Sequence, residues 1–353
     1  MAPVAVDVRR LTIRKPLWWV YLPTTCRTAV VTVSLRRLLH SRLLQFQVET
    51  SNERPEHRPV RWKKVTLVGV GLLGGSLGKA LRERRLAESV VGFVRRTGSV
   101  TECQKAGAVD WATRDLLTAV DGADLIVLCT PIAQMKPLVV ELRPALRPGS
   151  IVTDVGSVKT RVVRDLEVLL TKTGAHFVGS HPMAGAEKMG VAASSARLFC
   201  NAVCIVTPTP QSHKPAVRRV EQLWRSVGAR VLRLNPKVHD ALVSRSSHLP
   251  HVVAAELSNY VLGPGSSADQ QLLCANGFRD TTRIASGSPE MWRDIALANR
   301  DKLLEALGGF LDELNAFKRI LKTADANAIS RFFQQAKQRR DRWARKMSSP
   351  SPE

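Results

Sequence analysis

The sequence predicts an α/β fold, in which a doubly wound parallel sheet precedes an all-helical C-terminal domain. Two observations indicate this class. Between residues 62 and 235, short apolar runs alternate with helical stretches, a pattern typical of parallel sheets with crossover helices. From Pro236 onward, long amphipathic patterns follow one another with no strand between them. We therefore expect a nucleotide-binding domain over 62–235 and an all-helical substrate and dimerisation domain over 236–346.

The expected strands are short and rich in β-branched residues, as buried strands are. In chain order they are KKVTLV, SVVGFV, ADLIVL, SIVTDV, HFVGSHP and AVCIVTPTP. Helices are expected in SLGKALRERR and SVTECQKAGA, and the stretch HKPAVRRVEQLWRSVGARVLRLN supplies one more helix and strand. The helical domain is expected to be a dimer core, because its apolar stripes are long for a single small bundle; packing only on its own sheet domain is the alternative.

Residues 1–61 differ in composition from the rest of the chain. Up to Val48 the only acidic residue is Asp7, whereas arginine recurs. A targeting sequence and a basic arm for a membrane or partner are alternatives, but we favour a wrongly called upstream start codon or a plain disordered basic extension, and assign it no chemistry. Whether it belongs to the mature protein stays open, and residues 347–353 are expected to be a short tail.

Composition excludes several classes of protein. Hydrophobic residues make up 44% and charged residues 24% of the 353, which is ordinary for a globular protein. The six cysteines are scattered without a CxxC pair, so we expect no metal site, no disulfide framework and a cytoplasmic location. No apolar run reaches the roughly 18 residues of a membrane span. The net charge of +23 attracts anions. A high net charge does not by itself indicate a basic groove, so we do not expect nucleic acid as a partner.

The motif Gly69-x-Gly71-x-x-Gly74 directly follows the first predicted strand and opens a helix. In that context it predicts a Rossmann-type dinucleotide site, because backbone N–H groups at a helix N-terminus bind a pyrophosphate. A glycine-rich turn without a ligand is the alternative. The expected cofactor-binding residues of this turn and of the strand end in LIVLCTP are Gly69, Gly71, Leu72, Leu73, Gly74, Thr130 and Pro131.

The end of the second predicted strand indicates which cofactor is bound. NAD-binding proteins place an acidic residue about 20 positions beyond the glycines. Here Val94 occupies that place, followed by Arg95, Arg96 and Thr97. Without a carboxylate a 2′-phosphate is not repelled, and arginine binds phosphate bidentately. We therefore expect NADP⁺, with NAD⁺ as the alternative if these arginines are merely solvated.

The stretch GSHPMAGAEKMG places His181 before a proline in a glycine-rich turn. Proline restricts the preceding residue to extended backbone angles, which helps to fix the direction of the imidazole. A neutral imidazole suits a general base near pH 7. A hydrogen-bonded structural histidine is the alternative from this stretch alone.

Five motifs in order, GVGLLGGSLG, TDVGSVK, GSHPMAGAEKMG, SHLPH and GFRDTTRIASGSPEMWRDI, resemble the prephenate/arogenate dehydrogenase family of tyrosine biosynthesis. The resemblance covers roughly residues 62–345. It implies oxidative decarboxylation of prephenate to 4-hydroxyphenylpyruvate, with hydride transfer to NAD(P)⁺. Oxidation of arogenate to tyrosine is the alternative within the family.

The resemblance implies roles for individual residues. His181 is expected to be the catalytic base and Ser157 to orient the same hydroxyl, although Ser157 could instead cap the next helix. Glu187 is expected at the mouth of the site, unless it only pairs with Lys188 on the surface. Arg283 is expected to bind a substrate carboxylate, with Asp280 and Trp292 beside it. His251, and after it His248, is expected at the substrate side chain. Arg279 is expected to reach the site of a neighbouring subunit.

Two functions from other classes compete with this assignment. An NAD(P)-binding regulator or nucleic-acid-binding protein would use the charge but leave His181, Ser157 and Arg283 without a task. Another member of the β-hydroxyacid dehydrogenase group would share the glycine turn and the helical domain, but SHPMAG and TRIA would be unexplained. We therefore expect an oxidoreductase that acts on a small molecule and forms a homodimer.

Overall fold

A computed structural model describes residues 61–185 and 189–348. Its strands are β1 Trp62–Val68, β2 Ala87–Phe93, β3 Trp111–Thr113, β4 Leu125–Leu128, β5 Ile151–Asp154, β6 His176–Pro182, β7 Val203–Thr207 and β8 Arg230–Arg233. They form one sheet in the order β3-β2-β1-β4-β5-β6-β7-β8. The strand β3, which the sequence analysis did not anticipate, pairs with β2 through only three residues.

The helices of the sheet domain are α1 Leu72–Glu83, α2 Thr97–Lys105, α3 Leu116–Val120, α4 Ile132–Leu142, α5 Thr160–Leu170 and α6 Lys214–Ser226. The C-terminal part holds α7 Pro236–Val243, α8 Leu249–Leu262, α9 Ala268–Leu272, α10 Asn276–Thr282, α11 Pro289–Ala298, α12 Arg300–Thr323 and α13 Ala326–Ser348. Short 3-10 turns lie at Arg143–Ala145, Val191–Ala193 and Arg283–Ser286. A π-helical turn spans Ser244–His248, directly before α8.

The sheet is sandwiched between two helical layers, as the sequence predicts. Two apolar clusters lie on its opposite faces, one including side chains of α1, α2 and α6 and the other side chains of α3, α4 and α5. The side chains of Val65, Leu67 and Val68 in β1 are fully buried between these layers. The predicted α/β fold class is therefore confirmed.

The predicted parallel sheet has one antiparallel pair, which the strand patterns did not indicate. Strands β1 to β6 are parallel, but β7 pairs antiparallel with β6, and β8 is parallel to β7. A parallel connection needs a crossover, usually a helix. Between β6 and β7 the described residues contain only the short turn Val191–Ala193, and β7 therefore runs in the opposite direction.

The long helical patterns of the C-terminal part are broken more often than their periodicity suggests. The first pattern is divided by the turn Ser244–His248, and Pro250 stands in the first turn of α8, where a proline is tolerated. The second pattern is divided at Asn299, between α11 and α12. These breaks bring two buried polar side chains together, because Nδ2 of Asn299 lies 3.2 Å from Nδ1 of His248. No helix among the described residues is both long and apolar enough to cross a membrane.

Candidate active site

Several predicted site residues lie at one edge of the sheet. Because β1, β4, β5 and β6 are parallel neighbours, their carboxyl ends meet at the same edge. Gly69 follows β1, Thr130 follows β4, Ser157 follows β5, and His181 is the penultimate residue of β6. Ligands of open α/β sheets bind at this edge.

The glycine turn has the geometry of a phosphate site. Gly69 has a φ of +96°, a left-handed conformation that L side chains rarely adopt. A Cβ at Gly74 would lie 2.1 Å from the Gly69 carbonyl oxygen, so only glycine allows this approach of helix and turn. A Cβ at Gly71, by contrast, would meet nothing within 4 Å. Gly71 is the N-cap of α1, and no side chain accepts a hydrogen bond from the first backbone N–H groups of this helix. The first turn also has no acidic residue, so the helix N-terminus fits a pyrophosphate.

Thr130 borders the glycine turn on the β4 side. A Cβ at Gly69 would come within 3.0 Å of the Thr130 methyl group. The Thr130 hydroxyl is buried and makes no hydrogen bond within the part of the chain that the structure describes. A buried hydroxyl without a partner is costly, so a polar ligand atom at this place would satisfy it.

The residues expected to distinguish NADP⁺ from NAD⁺ lie at the end of β2. Val94 directly follows β2 and is buried, whereas Arg95, Arg96 and Thr97 are exposed. Arg114, which the sequence analysis did not single out, reaches this loop from beyond β3. Its Nε donates to the Arg95 carbonyl oxygen at 3.1 Å and its Nη1 to the Thr97 hydroxyl at 3.2 Å.

His181 is buried, with 6% of its surface exposed, and belongs to a chain of polar groups. Its Nδ1 lies 2.8 Å from Nε2 of His239, and Nδ1 of His239 lies 2.8 Å from Oδ1 of Asp240. Burial lowers the pKa of His181 well below its usual value, and the neighbouring His239 and Lys159 lower it further. His181 is therefore neutral at pH 7, and one of its ring nitrogens carries no proton.

Asp240 also holds the backbone just beyond Ser157. Its Oδ1 accepts from the Lys159 backbone N–H and its Oδ2 from that of Thr160, both at 2.8 Å. Burial alone would raise the pKa of Asp240, but hydrogen bonds from His239, Thr160 and Lys159 outweigh it and lower that pKa. The carboxylate therefore links α7 of the helical domain to the β5–α5 connection.

A buried ion pair lies directly behind His181. The side chains of Lys159 and Asp154 are fully buried and form a salt bridge. The Lys159 ammonium also donates to the carbonyl oxygen of Ser180 at 2.8 Å, and Asp154 accepts from the backbone N–H of Ser180 at 3.1 Å. Because Ser180 precedes His181, this pair fixes the backbone that carries the imidazole.

Ser157 does not cap the next helix, which corrects one alternative. Helix α5 begins at Thr160, so its N-cap position is Lys159, and no side chain caps it. The first turn of α5 is instead satisfied from outside by Asp240. Ser157 is half-buried and follows β5 at the sheet edge.

Helical-domain residues predicted to bind substrate meet around one indole. The ring of His251 stacks on Trp292 with centroids 3.6 Å apart, and the ring of His248 meets the same indole edge-on at 6.2 Å. His248 is 1% exposed, and its Nδ1 lies 3.2 Å from the Asn299 amide nitrogen. Burial lowers the pKa of His248 to about 4, opposed in part by Asp240. The ring lies near the backbone of Ser157, but its Nε2 makes no hydrogen bond of normal geometry among the described residues.

The predicted arginines lie at the surface. Arg279 is exposed in α10 and donates to the Asn276 side chain at 2.5 Å. Asp280 was expected beside Arg283; it lies in α10, which ends at Thr282, and Arg283 begins the 3-10 turn Arg283–Ser286. Both side chains are exposed, and this turn packs against α8, the helix of His251. Glu187 lies outside the described residues.

Four polar residues of this centre were missed by the sequence analysis. Three are His239, Asp240 and Asn299, which belong to the helical domain; the fourth is Lys159 in TDVGSVK. The adjacent histidine and aspartate in VHDAL were the one local signal, but a His–Asp dipeptide in an amphipathic helix is common on surfaces. No group of three metal-binding side chains occurs within 61–185 and 189–348.

Comparisons with known proteins agree with this geometry. The family model for the nucleotide-binding domain of prephenate dehydrogenase matches residues 77–233, and the model for its dimerization domain matches residues 235–335. Prephenate dehydrogenase of Bacillus subtilis (strain 168) is 34% identical over 279 residues, which cover 78% of this chain and 75% of that protein.

Solved structures match over the same length. Prephenate dehydrogenase from A. aeolicus, in complex with hydroxyphenyl propionate and NAD⁺, superimposes with a TM-score of 0.74 at 33% identity, covering 79% of this chain and 98% of the other. Synechocystis arogenate dehydrogenase has a TM-score of 0.68 at 32% identity, covering 79% of this chain and 99% of the other.

Proposed function

The chain belongs to the prephenate dehydrogenase family, and on that premise we propose that it converts prephenate to 4-hydroxyphenylpyruvate and carbon dioxide. The bound NAD(P)⁺ would take up the hydride from the ring carbon that bears the hydroxyl. The observation that carries the proposal is a buried, neutral imidazole at the sheet edge that also carries the glycine turn. Loss of carbon dioxide makes the ring aromatic, which leaves the protein the tasks of alignment and proton removal.

His181 would accept the proton of the substrate hydroxyl as that carbon becomes a ketone. Its lowered pKa keeps the ring neutral before reaction, with one ring nitrogen unprotonated, and a positioned base of this kind contributes a factor of roughly 10²–10⁴ to the rate. Ser157, at the end of β5, would hold the same hydroxyl by a hydrogen bond. Trp292, with the rings of His251 and His248 against it, would form the wall beside the substrate side chain.

Arg283 would bind a substrate carboxylate, with Asp280 three residues before it. A guanidinium on the carboxylate that departs opposes its loss of charge, so Arg283 would act by positioning and selecting the substrate. Glu187, which we propose for the mouth of the site, and Arg279, which we propose for a subunit boundary, complete the proposed substrate residues. Support for these roles comes from the family motifs and from the packing of the Arg283 turn on α8.

We propose NADP⁺ as the preferred cofactor. Val94 leaves no carboxylate at the end of β2, and Arg95 and Arg96 are exposed there. Arg114 adds a third guanidinium on the same loop. A 2′-phosphate beside these groups would form charge-assisted hydrogen bonds. The A. aeolicus relative was solved with NAD⁺, which makes NAD⁺ the alternative that the assay has to compare.

We propose a homodimer through the helical domain. Large apolar side chains of this domain are exposed in the single chain, among them Tyr260 at 85%, Leu272 at 83%, Leu273 at 77% and Leu297 at 63%. Exposed apolar surface of this extent marks interfaces, and the matching family model is that of a dimerization domain. Light scattering behind a sizing column would report the mass of two chains, and a single-chain mass at micromolar protein would refute the proposal.

A cytoplasmic location stays a prediction from the cysteine pattern.

The experiment that tests the function is absorbance at 340 nm, with prephenate and arogenate each offered with NAD⁺ and NADP⁺. Prephenate with NADP⁺ should give the highest kcat/KM. A preference for arogenate would establish the alternative substrate. This alternative has to be tested because one of the similar solved structures is the Synechocystis arogenate dehydrogenase. Folded protein that turns over neither substrate with either cofactor would refute the assignment.

The role of His181 is tested in the same assay. His181→Asn should lower kcat by about 10²–10⁴ while cofactor affinity stays unchanged. His176→Asn is a matched control, because His176 lies at the other end of β6 and stacks on His213, away from the sheet edge. Equal turnover of wild type and His181→Asn would reject the base assignment.

A further inference from the structure

The hydrogen bonds that link His181, His239 and Asp240 run in one direction from donor to acceptor. The carboxylate of Asp240, at the end of this chain, sets that direction. The carboxylate of Asp240 already accepts two backbone N–H groups, from Lys159 and Thr160. An ionised carboxylate only accepts hydrogen bonds. The proton between Asp240 and His239 therefore belongs to Nδ1 of His239, which donates to Oδ1 over 2.8 Å.

The direction passes through His239 to His181. Burial lowers the pKa of His239, which makes the ring neutral, and a neutral imidazole carries only one proton. With that proton on Nδ1, Nε2 of His239 is an acceptor. It lies 2.8 Å from Nδ1 of His181, which must then be the donor. Nε2 of His181 is left with a free lone pair.

We propose that His239 and Asp240 are positioning residues that hold His181 in the tautomer protonated at Nδ1, so that Nε2 is the atom that takes the substrate proton. The role of His181 as base rests on the proposed function, whereas the tautomer does not. In the reaction, the hydroxyl O–H bond breaks and an N–H bond forms at Nε2. His181 becomes an imidazolium whose Nδ1–H still donates to His239.

The chain keeps its direction when this step makes His181 charged. Nε2 of neutral His239 is an acceptor for the Nδ1–H of the imidazolium, as it is for that of the neutral ring. No proton has to move on to Asp240. The titratable groups that face His181 from the packed elements are Lys159 of the β5–α5 connection, which opposes its protonation and is paired with Asp154, and His239 and His248 of the helical domain, which are neutral at pH 7.

The chain also joins the two domains. His181 belongs to the sheet, whereas His239 and Asp240 belong to α7, the first helix after the last strand. The Asn299 amide, between α11 and α12, donates to the Asp240 carbonyl oxygen at 2.9 Å. The base is therefore correctly oriented only when the helical domain is seated on the sheet.

Two substitutions at His239 separate positioning from packing. The amide of glutamine extends about as far from the backbone as Nε2 of histidine, and that of asparagine about as far as Nδ1. His239→Gln thus keeps an acceptor for His181, whereas His239→Asn keeps the contact with Asp240 and removes that acceptor. We expect kcat to fall about 10²-fold in His239→Asn and less than about tenfold in His239→Gln, with KM and cofactor affinity changed less than about threefold in both. The control His176→Asn should leave kcat unchanged.

A spectroscopic readout tests the tautomer without any substrate. In the ¹⁵N spectrum of histidine-labelled enzyme, the His181 resonances are those that disappear in His181→Asn. We expect a protonated Nδ1 and an unprotonated Nε2 in the wild type, and a mixture of tautomers in His239→Asn.

A protonated Nε2 on His181 in the wild type would overturn the proposal, as would equal loss of kcat in His239→Asn and His239→Gln. If the wild type turned over neither prephenate nor arogenate, the proposed function would fail while the tautomer measurement still decided the direction of the chain. If His239→Asn did not fold, the wild-type spectrum and His239→Gln would still decide it.

Discussion

Acid should destabilise this protein through His248 by an amount that the structure allows to be calculated. The ring is 1% exposed, and its Nδ1 faces the nitrogen of the Asn299 amide, which is a donor. A proton on Nδ1 would face that donor, and burial disfavours the charge. Burial therefore holds the pKa of His248 at about 4.

The sign of the effect depends on which state binds the proton. An unfolded histidine has a pKa near 6.5. As pH falls below that value, the unfolded chain takes up a proton that the folded chain does not, so the free energy of unfolding decreases. The loss is complete only below pH 4. The difference of about 2.5 pKa units corresponds to about 3 kcal/mol in full, of which about 2 kcal/mol should be lost between pH 7.5 and pH 5.

The assay is urea unfolding of the wild type and of His248→Gln at pH 7.5 and pH 5.0, at constant ionic strength. Glutamine does not titrate, so the variant should lose about 2 kcal/mol less than the wild type between the two pH values. Any fixed cost of the substitution at pH 7.5 cancels in this difference, and His181 and His239 are present in both proteins. Equal losses in the two proteins would refute the reasoning that burial outweighs the attraction of Asp240 and keeps His248 neutral in the folded protein.

Three further substitutions test the cofactor, the substrate carboxylate and the buried ion pair. Val94→Asp should shift the ratio of kcat/KM toward NAD⁺ by at least about tenfold, because a carboxylate repels a 2′-phosphate; an unchanged ratio would contradict the NADP⁺ proposal. Arg283→Gln should mainly raise KM for the substrate, by about 10–100-fold; a normal KM would show that Arg283 is structural. Lys159→Met should cost about 3–5 kcal/mol in urea unfolding because it leaves Asp154 buried without its cation, and Asp154→Asn combined with Lys159→Met should cost less. A cost below about 1 kcal/mol for Lys159→Met would contradict this.

The sheet domain was predictable because its signals are local. The apolar run of β1 and the glycines after it lie within thirteen residues, from Trp62 to Gly74, and each acts on its own backbone. The direction of β7 was not predictable in this way. It depends on the absence of a crossover helix after β6 in the described residues, and strand periodicity is the same in either direction.

The breaks in the helical patterns show the same limit. Hydrophobic periodicity continues across the turn Ser244–His248, although the backbone changes there to a π-helical turn. At Asn299 the pattern also continues, but the side chain is buried and its amide bonds to Asp240 and His248. Periodicity reports which face is apolar and carries no information about a polar side chain that finds its partner in another element.

By itself, the sequence determined the fold class, the family and a candidate base, because strand patterns, the glycine turn and the family motifs each occupy a few consecutive residues. Only the tertiary structure decided which polar groups meet. His181 and His239 are 58 positions apart, and Asp240 is 81 positions from the backbone N–H of Lys159 that it accepts. Buried polar groups are stable only when paired, and pairing is decided by distance in space after the helical domain packs on the sheet.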